Sequence, residues 1–418
     1  MVARSVAKSR GIKSTELFGK ASKMRLATNG LAALLVVAFP GVSFANDLLA
    51  RAPQLEDAVT AALHEFHVPG AAVGIWTENG HWTKALGLAD VAASRPVKLR
   101  DHFGIRSITK SFVVTVLLQL IAESNGSIGL DDPIGKYLSG VPNGATVTLR
   151  QLADMTSGLY DYSADSDFRA AVGADPTRAW TTDELLAFAF DDAAHPAINF
   201  EPGARYQYSN TNTLVLGKLI EALAGATFDE VLRQKILVPL ELTGTKYLHG
   251  TRLPRPFASS YQGETEDGAP DEVVVSFSGL GFAGAMGSTL RDLGVWGPAL
   301  AEGSLLPAGS QKQRFEAHAT SVDPGSPVYD AYGLGMGQVA GWWGHTGEGV
   351  GFEAAVLHQI ERNETFAILL NGSDTSDVPV RIFCRVLAVL DEAPAAGSGS
   401  VCAPDGSGGG RLRSAAAD

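Results

Sequence analysis

A serine followed three positions later by a lysine, Ser107-Ile-Thr-Lys110, stands at the head of what reads as the most apolar helix of the 418-residue chain. On a helix, positions i and i+3 share one face, with roughly 5–6 Å between their Cβ atoms. A serine hydroxyl is a weak nucleophile and needs a base beside it. A lysine amine can serve when burial and the positive end of a helix dipole disfavour its ammonium form. The pattern alone is a weak signal, because Ser5-Val-Ala-Lys8 repeats it near the N-terminus. Only Ser107 opens an apolar helical run, 107–124, with Phe112, Val113, Val116, Leu117 and Leu120 among its members. Apolar residues all round mean a buried helix.

Two further clusters could complete a site around that pair. Tyr208-Ser209-Asn210 brings a phenol, which can shuttle a proton to a leaving group, and an amide, which can hold a substrate carbonyl. Gly344-His345-Thr346-Gly347 leads into strand-like sequence, and its small residues would let a substrate backbone lie along a strand edge. By itself, a histidine such as His345 is more often a satisfied structural residue.

The elements that must carry these residues are legible from periodicity. Leu55–Phe66 has helical spacing, and Ala71–Trp76 and His81–Leu88 flank the turn signal Glu78-Asn79-Gly80. From about 130 to 270 helical patterns alternate with Gly, Pro and Asp punctuation, and strand character resumes at Glu272–Phe277. Ser288-Thr289 can cap a helix starting near Leu290. Phe352–Ile360 and Thr365–Leu370 form a hairpin, and an amphipathic helix opens at Pro379. The expected architecture is an α/β chain of the α+β type. One antiparallel sheet is built from both chain ends, with flanking helices, an all-helical insert over about 130–270, and a cleft between the two parts.

Composition narrows the function. Lys+Arg 33 against Asp+Glu 45 gives a net charge of −12. Residues 1–45 hold seven of the basic residues and one acid, so the remainder carries −18. Such a body repels phosphate backbones, which excludes a nucleic-acid partner. The same 45 residues read as an export signal: a basic stretch, the apolar run Leu31–Phe39, then Ser43-Phe44-Ala45 before Asn46. That run is too short to span a bilayer, so a periplasmic or secreted protein without a stable membrane span is expected. Residues 46–392 would form the folded domain, and the Gly/Ser-rich 393–418 a disordered tail. Cys384 and Cys402 are the only cysteines. In an oxidising compartment they can pair, closing a loop of about 18 residues worth roughly 3 kcal/mol; otherwise they are free thiols. No ligand cluster for a metal is evident, and no cofactor is expected. His64-Glu-Phe-His67 is one residue short of a zinc-hydrolase motif, and no serine has glycine at both −2 and +2, as an α/β-hydrolase elbow requires.

Ser-x-x-Lys, a middle triad and Lys-Thr-Gly, in that order, mark penicillin-binding proteins and serine β-lactamases. Here the comparable pieces begin at Ser107, Tyr208 and His345, 101 and 238 positions apart from the first. Val68-Pro-Gly-Ala-Ala-Val-Gly74, Leu130-Asp-Asp-Pro133, Leu149-Arg-Gln-Leu152, Thr156-Ser-Gly-Leu159, Gly284–Leu293 and Tyr332-Gly-Leu-Gly335 fit the same pattern. Over roughly residues 50–392 the chain resembles the class C β-lactamase-like serine hydrolases, with their β-lactamase/transpeptidase-like fold. Tyr-Ser-Asn with His in place of the third-motif lysine looks most like the D-alanyl-D-alanine carboxypeptidases and D-specific peptidases. The resemblance implies Ser107 as the acylated nucleophile, Lys110 as its base or proton relay and Tyr208 as general acid/base. Asn210 would position the acyl amide, His345 and Thr346 would replace the Lys-Thr pair, and the backbone N–H groups of Ser107 and Glu348 would bind the oxyanion. Glu348 departs from the family pattern, in which a hydroxyl residue often helps hold the substrate carboxylate. A D-Ala-D-Ala peptide, as in the stem peptide of peptidoglycan, or a related D-peptide is the expected substrate. A β-lactam or a simple ester is the alternative, and a non-turnover penicillin-binding sensor would use the same fold.

Overall fold

The computed structural model describes residues 48–403 apart from 192, 317, 320–327, 376, 395–397 and 399. The expected export signal lies outside the described residues. Among the described residues, no helix is long and apolar enough to cross a membrane.

Both chain ends meet in one antiparallel sheet. Its strands are β1 (Gly70–Thr77), β2 (Gly80–Asp90), β3 (Arg95–Pro96), β4 (His318–Ala319), β5 (Ala331–Tyr332), β6 (Gly337–Val339), β7 (Trp342–Gly349), β8 (Phe352–Gln359) and β9 (Glu364–Leu370). The order across the sheet is β3-β2-β1-β9-β8-β7-β6-β5-β4. Ala71 stands opposite Leu370 and Trp76 opposite Thr365, so the first long strand pairs with the last. Side chains alternate between faces with period two, and here both faces are apolar. Ala71, Val73, Ile75, Phe366 and Ile368 pack with Leu55, Val59 and Phe383, from the terminal helices α1 (Ala52–Glu65) and α5 (Val378–Val389). Ala72, Ala354, Val356, Ala367 and Leu369 face the main core instead. That core includes α2 (Thr109–Glu123) and α4 (Leu290–Glu302), the latter capped by Thr289, whose hydroxyl accepts from Asp292 N–H.

Over 130–270 the helices are Leu149–Ala153, Ser166–Ala174, Thr182–Phe190, α3 (Asn210–Ala224) and Phe228–Leu232. Thr148/Gln151, Thr181/Glu184 and Thr227/Glu230 form capping boxes that fix three of their starts. The insert is not the all-helical one expected from its periodicity. Lys246–Tyr247 pairs with Met286–Ser288, which also pairs with Phe103–Gly104 in a small second sheet. Tyr261–Glu264 and Pro270–Glu272 form a hairpin around Asp267-Gly268, where Gly268 has φ +77°. An Asp-Gly pair is itself a turn signal, which the helical periodicity upstream outweighs. The strand expected over Glu272–Phe277 stops at Glu272, and a 3₁₀ turn covers Phe277–Gly279.

The tail also departs from its composition. Val401 and Cys402 are buried, Cys402 is disulfide-bonded to Cys384 with Cα atoms 5.1 Å apart, and Asp330 accepts hydrogen bonds from Val401 N–H and Ser400 Oγ–H. A covalent tie and one acceptor carboxylate order residues 400–403 against a Gly/Ser-rich background. The tail beyond residue 403 lies outside the described residues.

Candidate active site

Ser107 sits in a 3₁₀ turn, Arg106–Ile108, that runs directly into α2. The helix is buried from Thr109 to Gln119, so Lys110 enters the core one turn after the serine. Its Nζ lies 2.9 Å from Ser107 Oγ, 2.7 Å from Asn210 Oδ1 and 2.8 Å from the Ala283 carbonyl. Three acceptors match the three protons of an ammonium. Burial nevertheless pushes the Lys110 pKa down to about 7, with the Asp161 carboxylate pulling it partly back. Near neutral pH the group is therefore divided between an ammonium and an amine able to take a proton from Ser107.

Tyr208 and Asn210 flank Ser209 at the N-terminus of α3. The Tyr208 ring centroid is 4.9 Å from Lys110 Nζ. Burial raises the Tyr208 pKa well above the ordinary phenol value, the neighbouring Tyr329 adds to this, and a hydrogen bond with Ser107 opposes it. The group is a phenol, not a phenolate, at neutral pH. Asn210 is held at both ends of its amide: Oδ1 accepts from Lys110, and Nδ2 donates to Asp161 Oδ2 at 2.9 Å and to Ser163 Oγ at 3.1 Å.

The third cluster lies on β7, against the nucleophile turn. A Cβ at position 347 would fall 2.2 Å from the Ile105 carbonyl oxygen, so only glycine lets the strand approach Ser107 this closely. That packing need, rather than room for a substrate backbone, accounts for Gly347. Among the described strands, β6 reaches β7 only along Trp342–Gly344, leaving the later half of β7 with β8 on one side alone. His345 is fully buried and does not line the cavity described below. Its Nδ1–H donates to the Thr346 carbonyl and lies 3.0 Å from Tyr329 Oη, while Nε2 accepts from Tyr332 Oη–H at 2.9 Å. Burial, with the Lys110 charge adding to it, lowers the His345 pKa to about 3. A neutral imidazole cannot supply the positive charge of the lysine it was expected to replace. Its place in the structure is to tie Tyr332 and Tyr329 to the strand, and Tyr329 Oη in turn accepts from Thr346 N–H at 2.9 Å.

Ser107, Tyr208, Asn210, Thr346 and Glu348 open on one cavity of about 780 Å³. Part of its lining is aromatic, with Tyr160, Tyr162, Phe168 and Trp180. Asp161 also lines it. The sequence carries no separate signal for Asp161, which follows Thr156-Ser-Gly-Leu159 without a motif of its own, or for Tyr329. Tyr332 opens the stretch Tyr332-Gly-Leu-Gly335, which by itself points to no role for the phenol. Among the described residues, no group of three or more His, Cys, Asp or Glu is placed to hold a metal ion.

Known proteins share this fold. A family model described as Beta-lactamase matches residues 55–389. The chain belongs to the Beta-lactamase family of serine hydrolases. Among curated relatives, a D-aminopeptidase of Cereibacter sphaeroides is 26% identical over 327 residues, covering 76% of this chain and 59% of its own length. Penicillin-binding protein 4* of Bacillus subtilis is 24% identical over 318 residues, covering 70% of this chain and 66% of its own. A solved D-stereospecific amidohydrolase from Streptomyces sp. superposes with a TM-score of 0.68 at 31% identity, covering 81% of this chain and 97% of that one. This Beta-lactamase-family chain thus spans 59% of the length of the D-aminopeptidase it matches. Its fold is the β-lactamase/transpeptidase-like one that the motifs imply.

Proposed function

We propose that the protein hydrolyses amide bonds of D-amino acid derivatives or D-peptides through an acyl-enzyme on Ser107. The observation that carries this reading is the Lys110 amine, buried with a pKa of about 7 and 2.9 Å from Ser107 Oγ at the wall of the cavity. Ser107 Oγ gives its proton to Lys110 Nζ as it bonds to the acyl carbon, and the backbone N–H groups of Ser107 and Glu348 receive the oxyanion. The carbon–nitrogen bond then breaks, and the leaving nitrogen takes a proton from the Tyr208 phenol, which is refilled from the Lys110 ammonium. Water attacks the ester, its proton passes to the same pair, and Ser107 regains its hydrogen as the acid leaves. Relatives named D-aminopeptidase and D-stereospecific amidohydrolase support the D-specific choice. The aromatic lining of Tyr160, Phe168 and Trp180 suits a bulky apolar side chain on the acyl group. The basic, then apolar N-terminal sequence and the Cys384–Cys402 disulfide support export.

The charge of Glu348 favours a free amino group over a terminal carboxylate. Glu348 lines the cavity beside Thr346. Two like charges about 4 Å apart repel by roughly 1 kcal/mol in water and about 4 kcal/mol at an effective dielectric of 20, and opposite charges attract equally. Glu348→Thr should therefore raise kcat/KM for carboxylate-terminated D-Ala-D-Ala peptides and lower it for D-amino acid amides with a free amine. The expected change is about fivefold up to nearly a thousandfold in each direction, with a neutral ester barely affected. A panel of D-amino acid amides, D-Ala-D-Ala peptides, β-lactams and neutral esters, run on both proteins, tests substrate class and electrostatics together. Equal effects on all substrates would show that Glu348 acts through strand geometry, not charge.

The base also sets the pH dependence. Protonated Lys110 cannot accept from Ser107, so kcat/KM for a neutral ester should fall about tenfold per pH unit below about 7 and level off above it. Asp161 raises the Lys110 pKa, so Asp161→Asn should move the acid limb to lower pH. A limb that stays put or moves upward would assign the titration to another group.

A further inference from the structure

Arg106, the residue immediately before the nucleophile, has a conformation that calls for explanation. Its φ is +47°, in the left-handed region where glycine is at ease and other residues are strained. The side chain is 1% exposed. Its guanidinium lies between two aromatic rings, 5.0 Å from the Phe277 centroid and 5.2 Å from that of Phe352. Nη2–H donates to the Val350 carbonyl, in the turn just after β7. Nε and Nη1 have no hydrogen-bond partner among the described residues. Burial lowers the Arg106 pKa to about 9, which leaves the group charged at neutral pH. A strained backbone and a buried, half-satisfied cation both cost stability, and such costs concentrate at functional sites.

What the side chain joins suggests its use. The two proposed oxyanion donors, Ser107 N–H and Glu348 N–H, lie on separate elements, the nucleophile turn and β7. Arg106 is one residue from the first donor, and its guanidinium grips the turn that follows β7, two residues beyond the second. The strand is shaped to receive it. A Cβ at position 347 would lie 3.1 Å from Arg106 Cβ, and one at position 349 would lie 3.4 Å from Arg106 Cδ. Gly347 and Gly349, on one face of β7, thus form a groove along the arginine stem.

We propose that Arg106 is a positioning residue that clamps the nucleophile turn to β7 and so sets the spacing of the two oxyanion donors. The clamp rests on the assignment of Ser107 as the acylated nucleophile. It acts on the tetrahedral state, where the donors must converge on one oxygen, and little on substrate binding, which uses the rest of the cavity. Arg106→Met keeps the stem and removes the fork. Arg106→Lys keeps a charge and one donor.

The test compares both variants with wild-type and Ser107→Ala protein in the full chain, using a neutral ester and a boronic acid that forms a tetrahedral adduct with a serine. A misplaced donor should lower kcat of Arg106→Met by about ten- to a hundredfold, with KM within about threefold of wild type. Boronate affinity should weaken by the same factor as kcat/KM, because the adduct mimics the state that the clamp serves. Arg106→Lys should fall between Arg106→Met and wild type on both readouts. Wild-type kcat in Arg106→Met, or a loss of kcat with boronate affinity intact, overturns the clamp while leaving Ser107 in place. Turnover by Ser107→Ala overturns the nucleophile assignment, and the clamp with it. If Arg106→Met does not fold, Arg106→Lys decides: parallel losses in kcat and boronate affinity support the clamp, and wild-type values overturn it.

Discussion

Ser107→Ala is expected to abolish the covalent adduct that wild-type protein forms with a fluorescent penicillin or an activated ester. Intact mass should show one adduct on the wild type and none on the variant. Turnover should fall on the order of 10⁴–10⁶-fold, the range for losing a nucleophile from a preassembled set, because the remaining groups have no bond to make. Stability should change little. The half-buried hydroxyl bonds Lys110 Nζ, which keeps Asn210 and the Ala283 carbonyl as partners. Losing such a bond costs about 1 kcal/mol. An adduct that persists in the variant would place the nucleophile elsewhere. Ser5-Val-Ala-Lys8 could not take its place if residues 1–45 are removed on export, so a purified 46–418 chain with an intact adduct yield would already exclude it.

The core of this site is legible in the amino-acid sequence, because the nucleophile and its base are close together in the chain. Ser107 and Lys110 share a helix face, and the eleven buried residues from Thr109 to Gln119 carry the apolar pattern that singles them out. The strands β1 and β9 are legible for the same reason: both are short apolar runs bounded by turn signals. What stays hidden depends on contacts far apart in the chain. His345 stands where the family has a lysine, and only the enclosing Tyr332 and Tyr329 show that it is a buried tie to the strand. Asp161 acquires its role only when α3 brings Asn210 beside it. Gly347 suggests room for a substrate, whereas the space is filled by the Ile105 carbonyl, across a gap of more than 240 positions. The Gly/Ser-rich tail looks unable to fold until Cys402 meets Cys384. Composition and periodicity report local preference, and they fail where one long-range bond decides.

Tyr208→Phe should also separate catalysis from folding. The hydroxyl removed is buried at Ser107, and the ring that remains still stacks edge-on with Tyr332 at 6.1 Å. The expected stability loss is about 1 kcal/mol, since one hydrogen bond goes and no cavity opens. Activity should suffer far more, because a positioned general acid or base typically contributes on the order of 10²–10⁴ in rate. As a phenol, Tyr208 acts as proton donor to the leaving nitrogen. The loss should therefore be large for amides, whose amine must be protonated to leave, and smaller for an activated ester, whose leaving group departs as an anion. Tyr206 is the control. It is buried against Tyr332 at 5.8 Å and does not line the cavity, so Tyr206→Phe should leave kcat within about threefold of wild type. A greater loss from Tyr206→Phe at an unchanged melting temperature would give the proton-handling role to that residue. Equal losses on amide and ester in Tyr208→Phe would mean that the phenol serves the attack on the acyl carbon and not the departure of the nitrogen.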